Sequence, residues 1–218
     1  MCRLARTRTF RVVRHTALLF VSFLLIGNLV ILSLHGVARA DVGIDRVEGV
    51  EGVGKIRRVD DRLWAGANPS RLGLESLAAA GVTTIVDLRA EHDAREADAF
   101  IDSLGMHVVH IPVRDGQIPG RNEIAEFVDI VERAPGTVYV HCGAGVGRTG
   151  SMAAAYLVAC GGADASSALA VALAVGPPSL EQVYFIRSLD SGDRPPAAVV
   201  GISRVLDAPR RIWSGLRG

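Results

Sequence analysis

Between residues 59 and 190, short apolar β-branched runs alternate with segments of helical periodicity, and this alternation constrains the fold most strongly. The pattern predicts strands at Arg62–Ala65, Thr83–Leu88, His107–Val113 and Thr137–His141. Runs that are apolar at consecutive positions are typical of strands buried on both faces, and parallel strands need helical crossovers. We therefore expect an α/β domain with a central, mostly parallel sheet of four to five strands flanked by helices.

The segments between the predicted strands carry residues that begin and end helices. Ser70, Asp164 and Ser179 are suitable N-cap residues. The predicted helices are 70–80, Glu91–Leu104, Asn122–Arg133, Ser151–Cys160, 164–175 and 179–189. Ligands of such sheets bind at the carboxyl ends of the strands, so the loops that follow the strands are the candidate site.

The N-terminal region predicts one hydrophobic helix before this domain. Thr16–Leu34 is nineteen residues long without a charge, and a helix of that length spans about 29 Å, the thickness of a bilayer's hydrocarbon core. The basic segment 1–15 contains five arginines, which places the N-terminus in the cytoplasm and the rest of the chain outside it. Ala38-Arg39-Ala40 also fits a signal-peptide cleavage site. Because the apolar run is longer than that of a typical signal peptide, we favour an uncleaved anchor, with secretion after cleavage near Ala40 as the alternative.

Charge and cysteine usage exclude several classes of protein. The formal net charge of +1 combines +6 in residues 1–40, −8 in 41–190 and +3 in 191–218. An acidic central region does not offer the broad basic face of a nucleic-acid binder. The spacing of the three cysteines gives no paired framework and no C-x-x-C motif, so the sequence indicates neither a disulfide scaffold nor a zinc site. Residues 41–58 are interpreted as a linker and 191–218 as a basic C-terminal tail.

One glycine-rich turn, His141–Gly150 (HCGAGVGRTG), follows the last predicted strand and leads into a helix. Its last three glycines fit the dinucleotide fingerprint G-x-G-x-x-G, but no second strand with an acidic residue follows about 20 residues later, and the motif falls late in the domain. A phosphate-binding loop of the Walker A type needs a longer spacing and a lysine where Arg148 stands. Both interpretations are rejected.

A third interpretation uses every residue of the turn. A cysteine at a strand end, five residues and an arginine opening a helix form a loop whose backbone N–H groups bind a dianion. The same field favours the thiolate of Cys142, which makes it a nucleophile, while Arg148 grips two phosphoryl oxygens and Thr149 donates to the sulfur. The amides of the substrate-binding loop belong to Gly143, Ala144, Gly145, Val146 and Gly147. Since arginine and peptide dipoles supply the electrostatics, we expect no metal and no cofactor.

The turn resembles the HCxxGxxRTG motif of the cysteine-dependent protein phosphatases, both tyrosine-specific and dual-specificity. The stretch Leu63–Leu189 is similar to the compact dual-specificity-type domains of bacteria. The resemblance implies hydrolysis of phosphate monoesters through a phosphocysteine, with phosphotyrosine in proteins or peptides as the first expected substrate and phosphoserine or phosphothreonine as further ones. A phospholipid or small phosphate ester is the alternative substrate, and a catalytically silent phosphate-binding module at the membrane is the alternative function.

The resemblance also implies roles for residues outside the turn. Asp115, on the loop after His107–Val113, matches the proton donor, with Asp87 and Asp93 as competitors; Asp87 is expected to be structural and paired with Arg89. His141 matches a structural histidine of the family. Gln182 matches a glutamine that orients the hydrolytic water, but Ser179-x-x-Gln182 is equally a capping box, and both interpretations stay open.

Overall fold

The structure is a computed structural model that describes residues 2–90 and 97–215, with side chains described in 13–90 and 97–208. Its centre is a five-stranded sheet in the order β1-β2-β5-β3-β4. The strands are β1 (Arg57–Arg58), β2 (Leu63–Gly66), β3 (Val82–Arg89), β4 (His107–Val113) and β5 (Thr137–His141). Strands β2, β5, β3 and β4 are parallel, and β1 pairs antiparallel with β2. The expected α/β fold with a mostly parallel sheet is confirmed.

Helices cover both faces of this sheet. They are α1 (Cys2–Asp41), α2 (Arg71–Ala79), α3 (Asp98–Ser103), α4 (Arg121–Arg133), α5 (Gly147–Ala159), α6 (Ala165–Val175), α7 (Leu180–Arg187) and α8 (Ala197–Gly215). The predicted N-caps are confirmed, because the side chains of Ser70, Asp164 and Ser179 each accept a hydrogen bond from a backbone N–H of the following turn. They satisfy donors that the first turn of a helix leaves without an internal partner.

Strand β5 shows how its sequence builds the two faces of the core. Val138 and Val140 pack in the apolar cluster that also contains Phe127 of α4 and Met152 of α5. Tyr139, between them, packs in a second cluster on the opposite face with residues of α2 and α3. Alternating side chains of a strand point to opposite faces, so one continuous apolar run anchors both layers of helices. The carboxyl end of β5 is thereby fixed between them.

Three parts of the fold differ from the sequence prediction. Strand β1 lies in the segment interpreted as a linker, and α8 lies in the predicted C-terminal tail. Helix α5 begins at Gly147 and not at Ser151, so the helix starts inside the glycine-rich turn. Of the predicted helix Glu91–Leu104, residues 91–96 lie outside the described residues, and the described part contains α3.

The N-terminal hydrophobic helix is present and longer than the predicted span. Within the described residues, Val13–Asp41 is the one stretch long and apolar enough to cross a bilayer, and its most apolar window is not buried in the protein. The carboxyl half of α1 contacts the α/β domain: the ring of His35 meets the carbonyl oxygen of Leu173 in α6. Gly27 lies so close to Leu206 of α8 that an added Cβ would stand 2.6 Å from its Cδ2 atom.

Candidate active site

The cysteine of the glycine-rich turn lies at the carboxyl end of the central strand. Cys142 directly follows β5 and is 3% exposed. The chain then turns through Gly143 and Ala144, which are exposed, and enters α5 at Gly147. Arg148 and Thr149 in the first turn of α5 are buried. The structure therefore places the sequence-predicted loop residues at the edge of the sheet where ligands of parallel sheets bind. The exposed residues Gly143 and Ala144 form the mouth of this site.

This loop is fixed against the residues that follow β2. The backbone N–H of Asn68 donates to the carbonyl oxygen of Gly143 at 3.0 Å. Gly145 has a φ of +69°, and a Cβ at this position would stand 2.4 Å from the backbone nitrogen of Ala67. The hydroxyl of Tyr139 donates to the carbonyl oxygen of Ala67 at 2.6 Å and holds the same segment. Only glycine combines the positive φ with so close a backbone approach.

The arginine of the loop connects it to the candidate proton donor. Nη1 of Arg148 donates to the carbonyl oxygen of Val113 at 3.1 Å, at the end of β4. Its Nη2 lies 3.5 Å from Oδ1 of Asp115, whose side chain is 43% exposed. The guanidinium of Arg148 and the carboxyl group of Asp115 thus meet, the first from the first turn of α5 and the second from the loop that follows β4.

Gln182 lies in the first turn of α7 and is fully buried. Its Oε1 accepts from the backbone N–H of Ser179 at 2.9 Å, which confirms the capping box. Its Nε2 donates to the carbonyl oxygen of Gln117 at 3.0 Å, and the hydroxyl of Ser179 donates to that of Gly116 at 2.9 Å. A Cβ on Gly147 would stand 2.6 Å from Oε1 of Gln182. The side chain therefore borders both the Asp115 loop and the start of α5, and a role toward water stays a prediction.

His141 is 2% exposed, and its Nδ1 lies 3.2 Å from the carbonyl oxygen of Cys142. Because a carbonyl oxygen only accepts, this contact requires a proton on Nδ1. Burial lowers the pKa of His141 to about 4, so the imidazole is neutral at neutral pH. The ring stacks on Tyr139 with centroids 5.9 Å apart. This geometry suits a residue that holds the backbone beside Cys142.

Of the two competing aspartates, the structure describes Asp87, whose carboxylate pairs with Arg89. The carboxylate of Asp87 accepts hydrogen bonds from Arg89 on the same strand, among them one from Nε at 3.0 Å and one from Nη2 at 2.8 Å, both to Oδ2. The interpretation of Asp87 as a structural partner of Arg89 is confirmed. Asp93 lies outside the described residues.

The Thr149 hydroxyl is fully buried. Within the described side chains, no hydrogen-bond partner is found for its Oγ1 atom, and the same holds for Oγ of Ser151, two residues further along α5. A buried hydroxyl without a partner costs free energy of folding. Its donation to the sulfur of Cys142 stays a prediction.

Sequence reasoning missed one buried residue of this site. Arg57 of β1 is 3% exposed, and its Nη1 donates to the carbonyl oxygen of Gly145 at 3.3 Å. Burial lowers the pKa of Arg57 to about 10, which leaves it charged at neutral pH. A two-residue strand of arginines carries no hydrophobic period, so the pattern gave no signal for it. Within the described residues there is also no cluster of His, Cys, Asp and Glu suited to a metal ion.

Comparison with protein families and with curated proteins identifies relatives of this chain. The family model described as "DSP-PTPase phosphatase fused to NAD+ Kinase" matches residues 44–191. The probable NAD kinase 2 of Oryza sativa subsp. japonica is 37% identical over 97 residues, which is 41% of this chain and 10% of that protein. The dual specificity protein phosphatase CDC14B of Mus musculus is 40% identical over 79 residues, 35% of this chain and 15% of that protein. The chain therefore spans a small part of these relatives.

Two solved structures share the fold. The structure of P. aeruginosa TpbA aligns with a TM-score of 0.55 at 21% identity, and the alignment covers 77% of this chain and 98% of the TpbA chain. The structure of PTPMT1 aligns with a TM-score of 0.55 at 18% identity, and the alignment covers 67% of this chain and 97% of the PTPMT1 chain.

Proposed function

The chain belongs to the family of DSP-PTPase phosphatase domains fused to NAD+ kinase, and from that premise we propose that it hydrolyses phosphate monoesters through a phosphocysteine on Cys142. One observation carries the proposal. A buried cysteine at the end of β5, an arginine in the first turn of α5 and Asp115 on the loop after β4 lie together at the carboxyl edge of the sheet. Together they supply a nucleophile, an oxyanion clamp and a proton donor.

The proposed reaction has two steps. In the first, Sγ of Cys142 attacks phosphorus; the S–P bond forms, the P–O bond to the leaving group breaks, and Asp115 donates its proton to the departing oxygen. In the second, Asp115 accepts a proton from water, the oxygen attacks phosphorus, and the S–P bond breaks to give inorganic phosphate and the thiolate. Arg148 and the loop amides hold the remaining oxygens throughout.

We propose phosphotyrosine in proteins as the substrate, with phosphoserine and phosphothreonine as further ones. The structure of TpbA with its cysteine replaced by serine is a complex with pTyr, at a TM-score of 0.54. The mouth here is open, since Gly143 and Ala144 are exposed and Asp115 is about half exposed. A shallow opening of this kind also admits the shorter side chains of phosphoserine and phosphothreonine, because the phosphate does not have to reach far into the protein.

A phospholipid is the second candidate substrate, supported by two observations. The structure of PTPMT1 is a complex with PI(5)P, and this chain carries a helix long enough to span a bilayer, which contacts the catalytic domain. Gly143 and Val146 stand where lipid phosphatases of the superfamily carry lysines, which disfavours multiply phosphorylated inositides. Turnover of a phosphotyrosyl peptide, compared with turnover of singly phosphorylated lipid in mixed micelles, separates the two substrates.

The deciding experiment uses the full chain in detergent, with an aryl phosphate as substrate and a chelator present. We expect turnover that is lost in Cys142→Ser and retained in Cys160→Ser, whose cysteine is exposed and lies at the end of α5. Activity that survives Cys142→Ser would overturn the proposal. Phosphopeptide affinity without turnover in the unmodified chain would instead support the silent binding module.

We also propose that α1 is an uncleaved anchor with the catalytic domain outside the cytoplasm. The arginines before Thr16 and the length of the apolar run support retention of the helix. A reporter enzyme that works only outside the cytoplasm should be active when it is fused after residue 218, and a reporter that works only in the cytoplasm should be inactive there. An N-terminus at Asp41 in the purified protein would support the alternative, secretion after cleavage near Ala40.

A further inference from the structure

We infer that the C-terminal segment, residues 192–208, positions the proton donor of the reaction, with Arg194 and Ser203 as its positioning residues. The segment acts on the Asp115 loop, residues 114–120 between β4 and α4. This role depends on the proposed function of Asp115 as the proton donor. It gives a function to a part of the chain that lies outside the matched family model and that the sequence indicated only as a tail.

The position of the carboxyl group of Asp115 depends on the backbone of its loop. The side chain is 43% exposed, so packing constrains it little. A general acid must lie within hydrogen-bond reach of the departing oxygen, and a misplacement of about 1 Å costs roughly 100-fold in rate. Loops are more mobile than the helices and strands that they connect, unless other groups bind their backbone. The groups that bind the backbone of 114–120 therefore decide where the proton donor lies.

Two arginines bind the end of the Asp115 loop to the start of the C-terminal segment. Nη2 of Arg194 donates to the carbonyl oxygen of Pro119 at 3.1 Å. In the opposite direction, Nη2 of Arg121, the first residue of α4, donates to the carbonyl oxygen of Gly192 at 3.2 Å. Both hydrogen bonds have a charged donor, which makes them stronger than hydrogen bonds between neutral groups.

Ser203 of α8 binds the helix turn that lies against the middle of the loop. Its hydroxyl is buried, accepts from the backbone N–H of Glu181 at 3.0 Å and donates to Oδ2 of Asp207 at 3.2 Å. The N–H of Glu181 lies in the first turn of α7, where backbone donors have no partner inside the helix. Helix α8 supplies that partner, and this links α8 to the start of α7.

The same turn of α7 holds the residue that follows Asp115. The hydroxyl of Ser179 donates to the carbonyl oxygen of Gly116 at 2.9 Å. Helix α8 also lies beside this residue directly, since a Cβ on Gly116 would stand 3.7 Å from Oδ2 of Asp207. The C-terminal segment is thus connected to the loop in two places, through the arginine pair at the end of the loop and through the first turn of α7 beside Asp115.

The test measures kcat/KM of the full chain in detergent on an alkyl phosphate and on an aryl phosphate with a good leaving group, since only the poor leaving group needs the proton. The variants are Arg194→Ala and Ser203→Ala. Arg187→Ala is the control, at an exposed arginine on the other end of α7. We expect Arg194→Ala and Ser203→Ala each to lower kcat/KM about tenfold on the alkyl phosphate and less than about twofold on the aryl phosphate. Arg187→Ala should match the unmodified chain on both substrates.

A second background separates positioning of the proton donor from a general loss of stability. In Asp115→Asn, which lacks the donor, Arg194→Ala and Ser203→Ala should cause no further loss on the alkyl phosphate, because both changes act through the same group. Equal losses on the two substrates would overturn the inference. The same loss with and without Asp115 would also overturn it.

Backbone hydrogen exchange gives a readout that does not require turnover. Exchange of the amides in 114–118, followed by mass spectrometry, should be about three- to tenfold faster in Arg194→Ala and Ser203→Ala than in Arg187→Ala, as the loss of one hydrogen bond implies. Unchanged exchange in both variants would contradict the assignment of the segment. Absence of turnover in the unmodified chain, or turnover that survives Cys142→Ser, counts against the proposed function alone, and the exchange rates still decide whether the segment holds the loop.

Discussion

The contact between the phosphate-binding loop and the end of β2 makes Gly145→Ala the sharpest test of the site's geometry. A φ of +69° costs a residue with a Cβ about 1–2 kcal/mol. The new Cβ would also stand 2.4 Å from both the nitrogen of Ala67 and the carbonyl carbon of Gly66. These are backbone atoms, so the loop and the strand must separate, and overpacking of this kind costs about 1–3 kcal/mol. We expect Gly145→Ala to lower the free energy of unfolding by about 2–5 kcal/mol.

Two matched glycines separate backbone strain from collision. Gly161 has a φ of +71°, and an added Cβ there meets nothing within 4 Å, so Gly161→Ala should show the strain alone, about 1–2 kcal/mol. Gly143 lies in the same loop without a positive φ, and its Cβ would meet only Nη2 of Arg148 at 3.9 Å. Gly143→Ala should therefore leave the free energy of unfolding near its original value. Urea unfolding of all three variants supplies the comparison.

Activity provides the second half of this test. Displacing the loop moves its amides away from the phosphoryl oxygens, and a misplacement of about 1 Å costs roughly 100-fold in rate. We expect kcat/KM of Gly145→Ala on an aryl phosphate to fall by at least that factor at a temperature where the protein is folded. If Gly145→Ala is no less stable than Gly161→Ala, the contact with residues 66–67 does not hold the loop. If it is unstable but fully active, the loop geometry is not the source of turnover.

Three further predictions concern the groups around the loop. Asp115→Asn should lower kcat about 100-fold on an alkyl phosphate and much less on an aryl phosphate with a good leaving group, since only the poor leaving group needs the proton; equal losses on both substrates would assign Asp115 another role. The folded pKa of His141, about 4, lies below its ordinary value of 6.5, so the folded state binds fewer protons and the free energy of unfolding should be full above pH 6.5 and fall by up to about 3 kcal/mol toward pH 4. His141→Gln should remove that part of the pH dependence when the free energy of unfolding is measured in urea at a series of pH values. If the variant shows the same dependence on pH as the original protein, His141 is not its source. Ser179→Ala and Gln182→Ala should each cost about 1 kcal/mol of stability through the lost cap, but only Gln182→Ala should accumulate phosphocysteine in a rapid-quench experiment if the amide also orients water.

The parts of the site that could be predicted from the sequence are those formed by residues close together in the chain. The β5–turn–α5 unit combines a β-branched run, glycines and an arginine within fourteen residues, and its chemistry can be inferred from their order alone. Arg57 could not be found that way, because its strand exists only through pairing with Leu63–Gly66, and both of its residues are charged. Helix α8 was missed for a related reason. It contains Pro209, which normally argues against a helix interior, and it is stabilised by tertiary contacts such as the N–H of Glu181 donating to Ser203 at 3.0 Å.

The two interpretations of Gln182 are compatible, because a side-chain amide has more hydrogen-bonding capacity than the cap consumes. The amide offers two N–H donors and two lone pairs on its oxygen. Within the described residues one lone pair accepts from Ser179 and one N–H donates to Gln117, so one donor and one acceptor position are left. The same side chain lies against Gly147 in the first turn of α5. The capping box fixes the amide beside Gly147, and its unused donor and acceptor are the groups that the predicted role toward water requires. In this arrangement the cap would also orient the side chain for the second step, and a Gln182→Glu variant tests it. The carboxylate can still accept from Ser179, but it cannot donate to Gln117 and it places a charge in a fully buried position. Stability should therefore fall at least as much as in Gln182→Ala, while the second step slows to a similar extent.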